Sequence, residues 1–401
     1  QRKIADYIDI LAKPERQRKI IGDELDEIVA KYGDDRRTKI LPFSGEMNVE
    51  DLIAEENVVV TVTHSGFIKR TKADEYRSQH RGGKGIKGAK LREDDVVDHF
   101  FLTSTHNWLL FFTNKGRVYR IKAYELPEGS RDSKGQHVAN LLQFAPDESI
   151  QTVLSIPNYE VAKYLVLATR SGKVKKTPLA EYDSPRQGGL IAVRLMADEN
   201  GENADELIGA ALCNAEDDII LVSKLGMSLK FQADDEQLRP MGRQTAGVQG
   251  RKFRNDDSLL AMDVVPGDSD KDLFVVTNEG FAKRTAISEY RLQGRNGLGI
   301  KAVQLVEGRG ALVGALVVSE DDQVMAIMKS GKVIRSNVDE VKRTGRNTQG
   351  VTFAKPDKGD TILSIARNEE KDEPEDGGDA AANGTAETAQ SGENVNNADE
   401  A

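Results

Sequence analysis

The sequence predicts an all-β, six-bladed, propeller-like ring, preceded by a short α-helical segment and followed by a disordered acidic tail. Three observations point there. A β-run, a glycine-ended turn and a second β-run recur six times. A second glycine follows each turn at a nearly fixed distance. Composition changes abruptly at both ends of the repeating region. The segments are expected at residues 1–40, 41–367 and 368–401.

At the start, Ile4, Tyr7, Ile8 and Leu11 share one helical face, as do Ile20, Ile21, Leu25, Ile28 and Val29. Pro14 marks a break or a new helix start, and Gly33 should end the second helix. Helices this short cannot bury a core alone, so they are expected to pack on a further part of a longer chain. A first residue of Gln1 rather than Met fits that expectation.

The six turns are Thr63–Gly66, Thr113–Gly116, Thr169–Gly172, Ser223–Gly226, Thr277–Gly280 and Met328–Gly331. Their glycines stand 50, 56, 54, 54 and 51 residues apart. A tight hairpin loop ends in a left-handed position that glycine fills without strain. The second set is Gly85, Gly135, Gly189, Gly247, Gly299 and Gly350, lying 17 to 21 residues after the first. A short strand should follow each, and a further apolar run, such as Ile150–Ile156, closes most units. About four strands in about 54 residues make a blade, and a ring of blades leaves few sheet edges. No WD signature is present.

Charge patterning gives the functional expectation. The net charge is −10, but residues 367–401 carry −9 of it, leaving −1 for the first 366 residues. That acidic tail has one large aliphatic residue, Val395, and is expected to be disordered. Four residues after each turn glycine stands a cation: Arg70, Arg120, Lys176, Lys230, Arg284 and Arg335. Lys69, Lys175 and Lys283 precede three of them. Equivalent positions in a ring share one radius and height, so a cationic belt is expected. Edge protection would explain lysine there, but not the exclusion of acids six times. The acidic clusters Glu93–Asp95, Glu216–Asp218, Asp268–Asp270 and Glu320–Asp322 fall elsewhere in the units, mostly between blades, as a polarised surface requires. Such a belt suits phosphates and carries no sequence code. Trp108 and the phenylalanines sit in apolar runs and read as core; no aromatic residues interleave with the basic ones to suggest single-strand stacking.

The stretch Tyr76–Lys90 concentrates glycines and cations. Gly83–Gly88 matches a dinucleotide fingerprint, but no helix pattern follows it, and a phosphate-binding Gly-Lys-Ser/Thr is absent. A flexible loop lying against a phosphate chain fits better. The single cysteine, Cys213, excludes an internal disulfide and reads as a buried small hydrophobe. The five histidines lack metal-ligand spacing. No apolar run has membrane-spanning length, so a soluble intracellular protein is expected. No recurring paired carboxylates or Ser–His–Asp set suggests a propeller enzyme. A protein-interaction platform would instead show apolar or mixed rim patches.

Gln79-His80-Arg81-Gly82-Gly83-Lys84-Gly85 resembles the Gln-Arg-Arg-Gly-Gly-Lys-Gly box of bacterial DNA gyrase A subunits, departing at His80. The six-unit repeat resembles that family's C-terminal β-pinwheel, residues 34–40 its junction with the breakage–reunion domain, and the helices the returning arm of that domain's coiled coil. The resemblance implies wrapping of double-stranded DNA around the rim with positive handedness, in an A2B2 type II topoisomerase that supercoils negatively using ATP. It implies that the box lies in the first blade and helps close the ring against the last. It implies DNA contacts from residues 79–85, Arg77 and Lys87, with Arg81 and Lys84 first, together with the belt cations. It implies no catalytic residue or cofactor within this chain, with ATP and Mg2+ engaged mainly by the B subunit, and a location in the bacterial cytoplasm. The alternative in the same class is the DNA-bending domain of topoisomerase IV, in which the box is degraded.

Overall fold

The structure, a computed structural model, describes residues 1–34, 49–76, 97–130, 132–186, 188–197, 205–267, 270–330 and 332–368. The chain divides into two compact units, Gln1–Leu52 and Ile53–Ala401.

In the first unit, α1 spans Arg2–Ala12 and α2 spans Pro14–Tyr32. The expected break falls at Lys13, whose extended backbone (φ −121°, ψ 99°) leads into Pro14 at the start of α2. There the missing proline N–H costs nothing. Arg16 reaches back to Asp9 at 2.7 Å and Asp6 at 2.6 Å, tying the two helices together. Gly33 ends α2 as expected, its N–H donating to the Val29 carbonyl at 2.7 Å. Its φ is −69°, however, so the stop is an extended exit and not a left-handed cap. No described helix is long and apolar enough to cross a membrane.

The second unit is the six-bladed ring. From the axis outward, blade 1 consists of Val97–Ser104, Asn57–Thr63, Phe67–Lys72 and Gln136–His137. Blade 2 consists of Ile150–Ile156, Trp108–Thr113, Arg117–Lys122 and Leu190–Ile191. Blade 3 has Leu207–Cys213, Tyr164–Thr169, Lys173–Pro178 and Val248–Gln249. Blade 4 has Leu259–Val265, Asp218–Ser223, Met227–Gln232 and Ile300–Lys301. Blade 5 has Leu312–Val318, Asp272–Thr277, Phe281–Ala286 and Val351–Thr352. Blade 6 shows Ile362–Asn368, Gln323–Met328 and Val333–Asn337 among the described residues. The innermost strands touch one another in order, and Ile362–Asn368 touches Val97–Ser104, so the ring closes.

The second strand of each blade is apolar without alternation because both of its faces are covered. In blade 2, Leu109 and Phe111 pack with Val60 and Val62 of blade 1, whereas Leu110 and Phe112 pack with Leu165 and Leu167 of blade 3. Among the described residues five buried clusters result, each between two successive blades.

Four strands per unit were expected, but the fourth is exchanged. Among the described residues, the two residues after each of the five second glycines other than Gly85 pair with the blade before their own repeat: Phe67 with His137, Val118 with Leu190, Val174 with Val248, Ser228 with Ile300, Ala282 with Val351. This explains the second glycines. At Gly299 the backbone has φ +77°, and an added Cβ would lie 2.2 Å from the Ser228 carbonyl oxygen. Only a residue without a side chain can turn there and lie that close to the neighbouring strand.

Candidate nucleic-acid interface

The six cations four residues after the turn glycines occupy one step of the blade. Arg70, Arg120, Lys176, Lys230, Arg284 and Arg335 each stand opposite the third residue of the second strand or its equivalent: Val60, Leu110, Val166, Ile220, Phe274 and Met325. They share one register, as the repeat predicts.

Their exposure differs from expectation. Lys176 and Arg284 are buried, Arg70, Arg120 and Lys230 are half-buried, and Arg335 alone of the six is exposed. Each is already engaged. Arg70 pairs with Glu128 at 3.1 Å and donates through Nε to the Leu126 carbonyl at 2.9 Å. Arg120 binds Asp183 and lies 4.4 Å over the Trp108 ring. Lys176 donates to the Ala233 carbonyl and to Asp235 at 2.9 Å, and its Nζ lies 4.5 Å over the Tyr164 ring. That hydrogen bond holds the Asp235 carboxyl below the usual carboxylate range. Lys230 pairs with Asp218 at 3.3 Å. Arg284 lies 3.4 Å from Asp272 and 3.1 Å from Glu320. Arg335 donates to the Gln323 side chain.

Charge is therefore not segregated within each repeat as the sequence suggested: Asp218 and Glu320, from two of the acidic clusters, fold back onto the cations. The aromatic reading is corrected too. Trp108 is half-buried and carries Arg120 and Lys122, each 4.4 Å from its ring. Long cationic stems cover apolar surface while their heads find partners, and a linear pattern does not reveal this.

Lys69, Lys175 and Lys283 were expected to add to an outward belt; they are buried between blades instead. Lys175 donates to the backbone carbonyls of Ala192, Gly242 and Arg243. Lys283 donates to those of Ala302 and Arg346, and Lys69 to those of Ser130 (3.0 Å) and Ser133 (2.9 Å). In blades 3 and 5 the lysine thus ties the chain leaving the preceding blade's rim strand to the loop entering its own. Burial pushes the Lys175 ammonium down to about 7 and Lys283 down to about 8.

Sequence reasoning missed a set of arginines in the loops before the rim strands. Arg243 donates to the Ile191 carbonyl at 3.4 Å, Arg295 to that of Gln249 at 3.1 Å, and Arg346 to that of Lys301 at 3.4 Å. Each acceptor is the last residue of the preceding blade's rim strand, so these arginines stitch the rim circumferentially. Their signal was present: each stands four residues before a second glycine, as Arg81 does before Gly85. Arg251 was missed as well. It is almost fully buried and donates to the Met227 carbonyl at 2.7 Å and the Leu298 carbonyl at 3.1 Å; burial pushes its guanidinium down to about 10. Cys213 is buried, as expected. The box residues Gln79–Gly85, with Arg77 and Lys87, lie outside the described residues, as does the acidic tail.

The chain matches the family model described as DNA gyrase C-terminal domain, beta-propeller, over residues 57–104, 107–157, 163–214, 217–266, 271–319 and 322–369, one segment per repeat. It is 57% identical over 391 residues to the DNA gyrase A subunit of Streptomyces coelicolor, covering 97% of this chain and 45% of that protein. It is 55% identical over 391 residues to the DNA gyrase A subunit of Mycolicibacterium smegmatis, covering 98% of this chain and 45% of that one. The chain thus spans just under half the length of these relatives. Among solved structures, a DNA gyrase A C-terminal domain superposes with a TM-score of 0.65 at 27% identity, covering 78% of this chain and 100% of that one. The C-terminal domain of DNA topoisomerase IV superposes with a TM-score of 0.63 at 25% identity, covering 79% and 94%. Repeat, ring and rim-strand glycines agree with the sequence match, and the chain belongs to the family of DNA gyrase C-terminal β-propeller domains.

Proposed function

We propose that the ring binds double-stranded DNA along its rim without regard to sequence, bends it and wraps it with positive handedness. In this reading the chain is the C-terminal part of a DNA gyrase A polypeptide. The wrap serves negative supercoiling by an assembly of two A and two B subunits in the bacterial cytoplasm. ATP and Mg2+ act mainly through the B subunit.

The observation that carries this reading is a closed ring with a cation at the same step of all six blades, in a chain 57% identical to a gyrase A polypeptide. Bending 20–30 bp smoothly by 40–90° costs roughly 1–6 kcal/mol, and a wrap around such a disc bends further. One loop cannot supply that, whereas phosphate contacts spread around a rim can. The buried lysines hold the rim in shape, and the exposed cations and the box meet phosphate. Gln79, His80, Arg81, Gly82, Gly83, Lys84 and Gly85 form the principal contact, with Arg77 and Lys87 beside it. In five blades the residues after the second glycine supply the preceding blade's rim strand. Ile86 and Lys87 hold the equivalent place after Gly85. That register would bring the box to the seam between the last blade and the first.

Relaxed circular DNA incubated with the chain and a type I topoisomerase should emerge with a shifted linking number. Replacing Arg81, Gly82, Gly83 and Lys84 with Ala should abolish most of the shift. An unchanged shift would remove the box from the site. Duplex binding without any shift would favour the bending module of topoisomerase IV.

A further inference from the structure

The source of the acid that pairs with the belt cation changes from blade to blade over blades 1 to 5. In blades 1, 2 and 3 the acid comes from the loop leading to the rim strand: Glu128, Asp183 and Asp235. Their side chains are 55%, 59% and 66% exposed, so each lies at the surface above a cation that is itself largely covered. In blades 4 and 5 an acid comes from the first residue of the second strand, Asp218 and Asp272, where both carboxylates are largely covered. Arg284 also meets Glu320, which comes from the connection to blade 6 and not from the loop before the rim strand. The equivalent position, two residues before the one facing the belt cation, holds Val58, Trp108 and Tyr164 in blades 1 to 3.

With an acid supplied from within, the loop is free to carry the opposite sign. Glu128 runs beside Arg70 as an isolated bridge; the residues bridging Lys230 and Arg284 in the same way are Leu292 and Arg343. Next to these, Arg291 and Lys342 are exposed. Beside the belt cation, the loops before the rim strands therefore present a carboxylate in blades 1 to 3 and a cation in blades 4 and 5.

The geometry points to an uneven duplex track away from the box: the loops of blades 4 and 5 grip the phosphate backbone, and Glu128, Asp183 and Asp235 hold the duplex off the belt cations of blades 1 to 3. This rests on the reading of the rim as a duplex-binding surface. A phosphate approaching blades 4 and 5 meets Arg291 and Lys342, whereas Arg343 beside Lys342 is already paired with Asp272 at 2.9 Å and with the exposed Asp270 at 3.2 Å. Over blades 1 to 3 it meets a carboxylate before it can reach the cation below. Counterion release rewards only the first encounter. The three acids are positioning residues that set where the bend is tightest.

The test is binding of a labelled random-sequence duplex to the complete 401-residue chain across roughly 50–200 mM salt. Arg291→Gln with Lys342→Gln should weaken binding roughly fivefold and lower the salt slope by about one for each phosphate no longer neutralised. Arg186→Gln with Arg194→Gln, also exposed but on the acidic side, should change affinity less than about twofold. Glu128→Gln, Asp183→Asn and Asp235→Asn together should raise affinity on the order of tenfold. Equal losses from the two cationic pairs, or no gain from neutralising the acids in a variant that melts like the parent, would overturn the uneven track. If the acidic triple variant melts early, the two cationic pairs decide alone. A parent chain that does not bind duplex at all would instead overturn the reading on which this rests.

Discussion

Lys175→Met is expected to lower the unfolding free energy by about 2–4 kcal/mol, measured by chemical denaturation at neutral pH. The side chain is almost fully buried, and three backbone carbonyls, from Ala192, Gly242 and Arg243, converge on its Nζ. Methionine matches the volume but leaves all three acceptors without a donor. Relief from burying an ammonium offsets part of that loss. The pH dependence gives a second readout. Burial holds the folded pKa near 7, below the ordinary lysine value of 10.5, so between these limits the unfolded chain binds the extra proton. The lysine's contribution is complete above the unfolded value and is lost as pH falls through the folded one. The deficit of the Met variant should widen as pH rises from 7 towards 10.5. A deficit that stays flat over this window would mean that the amine remains charged throughout, its three acceptors having outweighed desolvation.

Gly299→Ala should cost about 3 kcal/mol, from a left-handed backbone and forced overlap together. The backbone stands at φ +77°, and the new methyl would meet the Ser228 carbonyl at 2.2 Å with the Leu229 nitrogen behind it at 3.3 Å. Neither belongs to a flexible side chain that could swing away. The rim strand Ile300–Lys301 should detach from blade 4, so amide exchange at Ile300 should accelerate more than at the second-strand residue Leu221. Gly308→Ala is the control: φ is +81°, but nothing lies within 4 Å of the added carbon. That substitution should cost about 1–2 kcal/mol. Equal losses at the two sites would show that close approach to the neighbouring strand is not what requires glycine.

The ring was legible because backbone conformation leaves a signature in sequence. A left-handed residue in a tight turn is nearly always glycine, and two such positions per repeat gave the blade count directly. Unbroken apolar second strands followed from burial on both faces. The exchange of the rim strand was not legible. Two residues carry no periodicity, and the partner of His137 is Phe67, across a whole repeat. The cations were legible as a register but not as an exposed belt. Lys176 reaches a carbonyl and a carboxylate on the next repeat, and Lys175 caps carbonyls brought together only by closure. A linear pattern records that a charge is present, not what surrounds it. The loop arginines left a spacing too, though not in every repeat (Pro185 stands four residues before Gly189), and each stands among other polar residues, its partner a main-chain oxygen without sequence identity.

The borrowed rim strand makes the period of the gene and the period of the architecture run out of phase. Excising one interval from a turn glycine to the next would leave every remaining clasp a recipient and a donor. Ending the chain at the boundary of a visible sheet would instead leave that last sheet without its outer edge, because the strand that completes it belongs to the next repeat. Homologous rings with fewer or additional blades should therefore differ by whole glycine-to-glycine intervals. A cut after Val265, where the innermost strand of blade 4 ends, would leave that blade without its outer edge. A cut just beyond Lys301 would keep the edge in place.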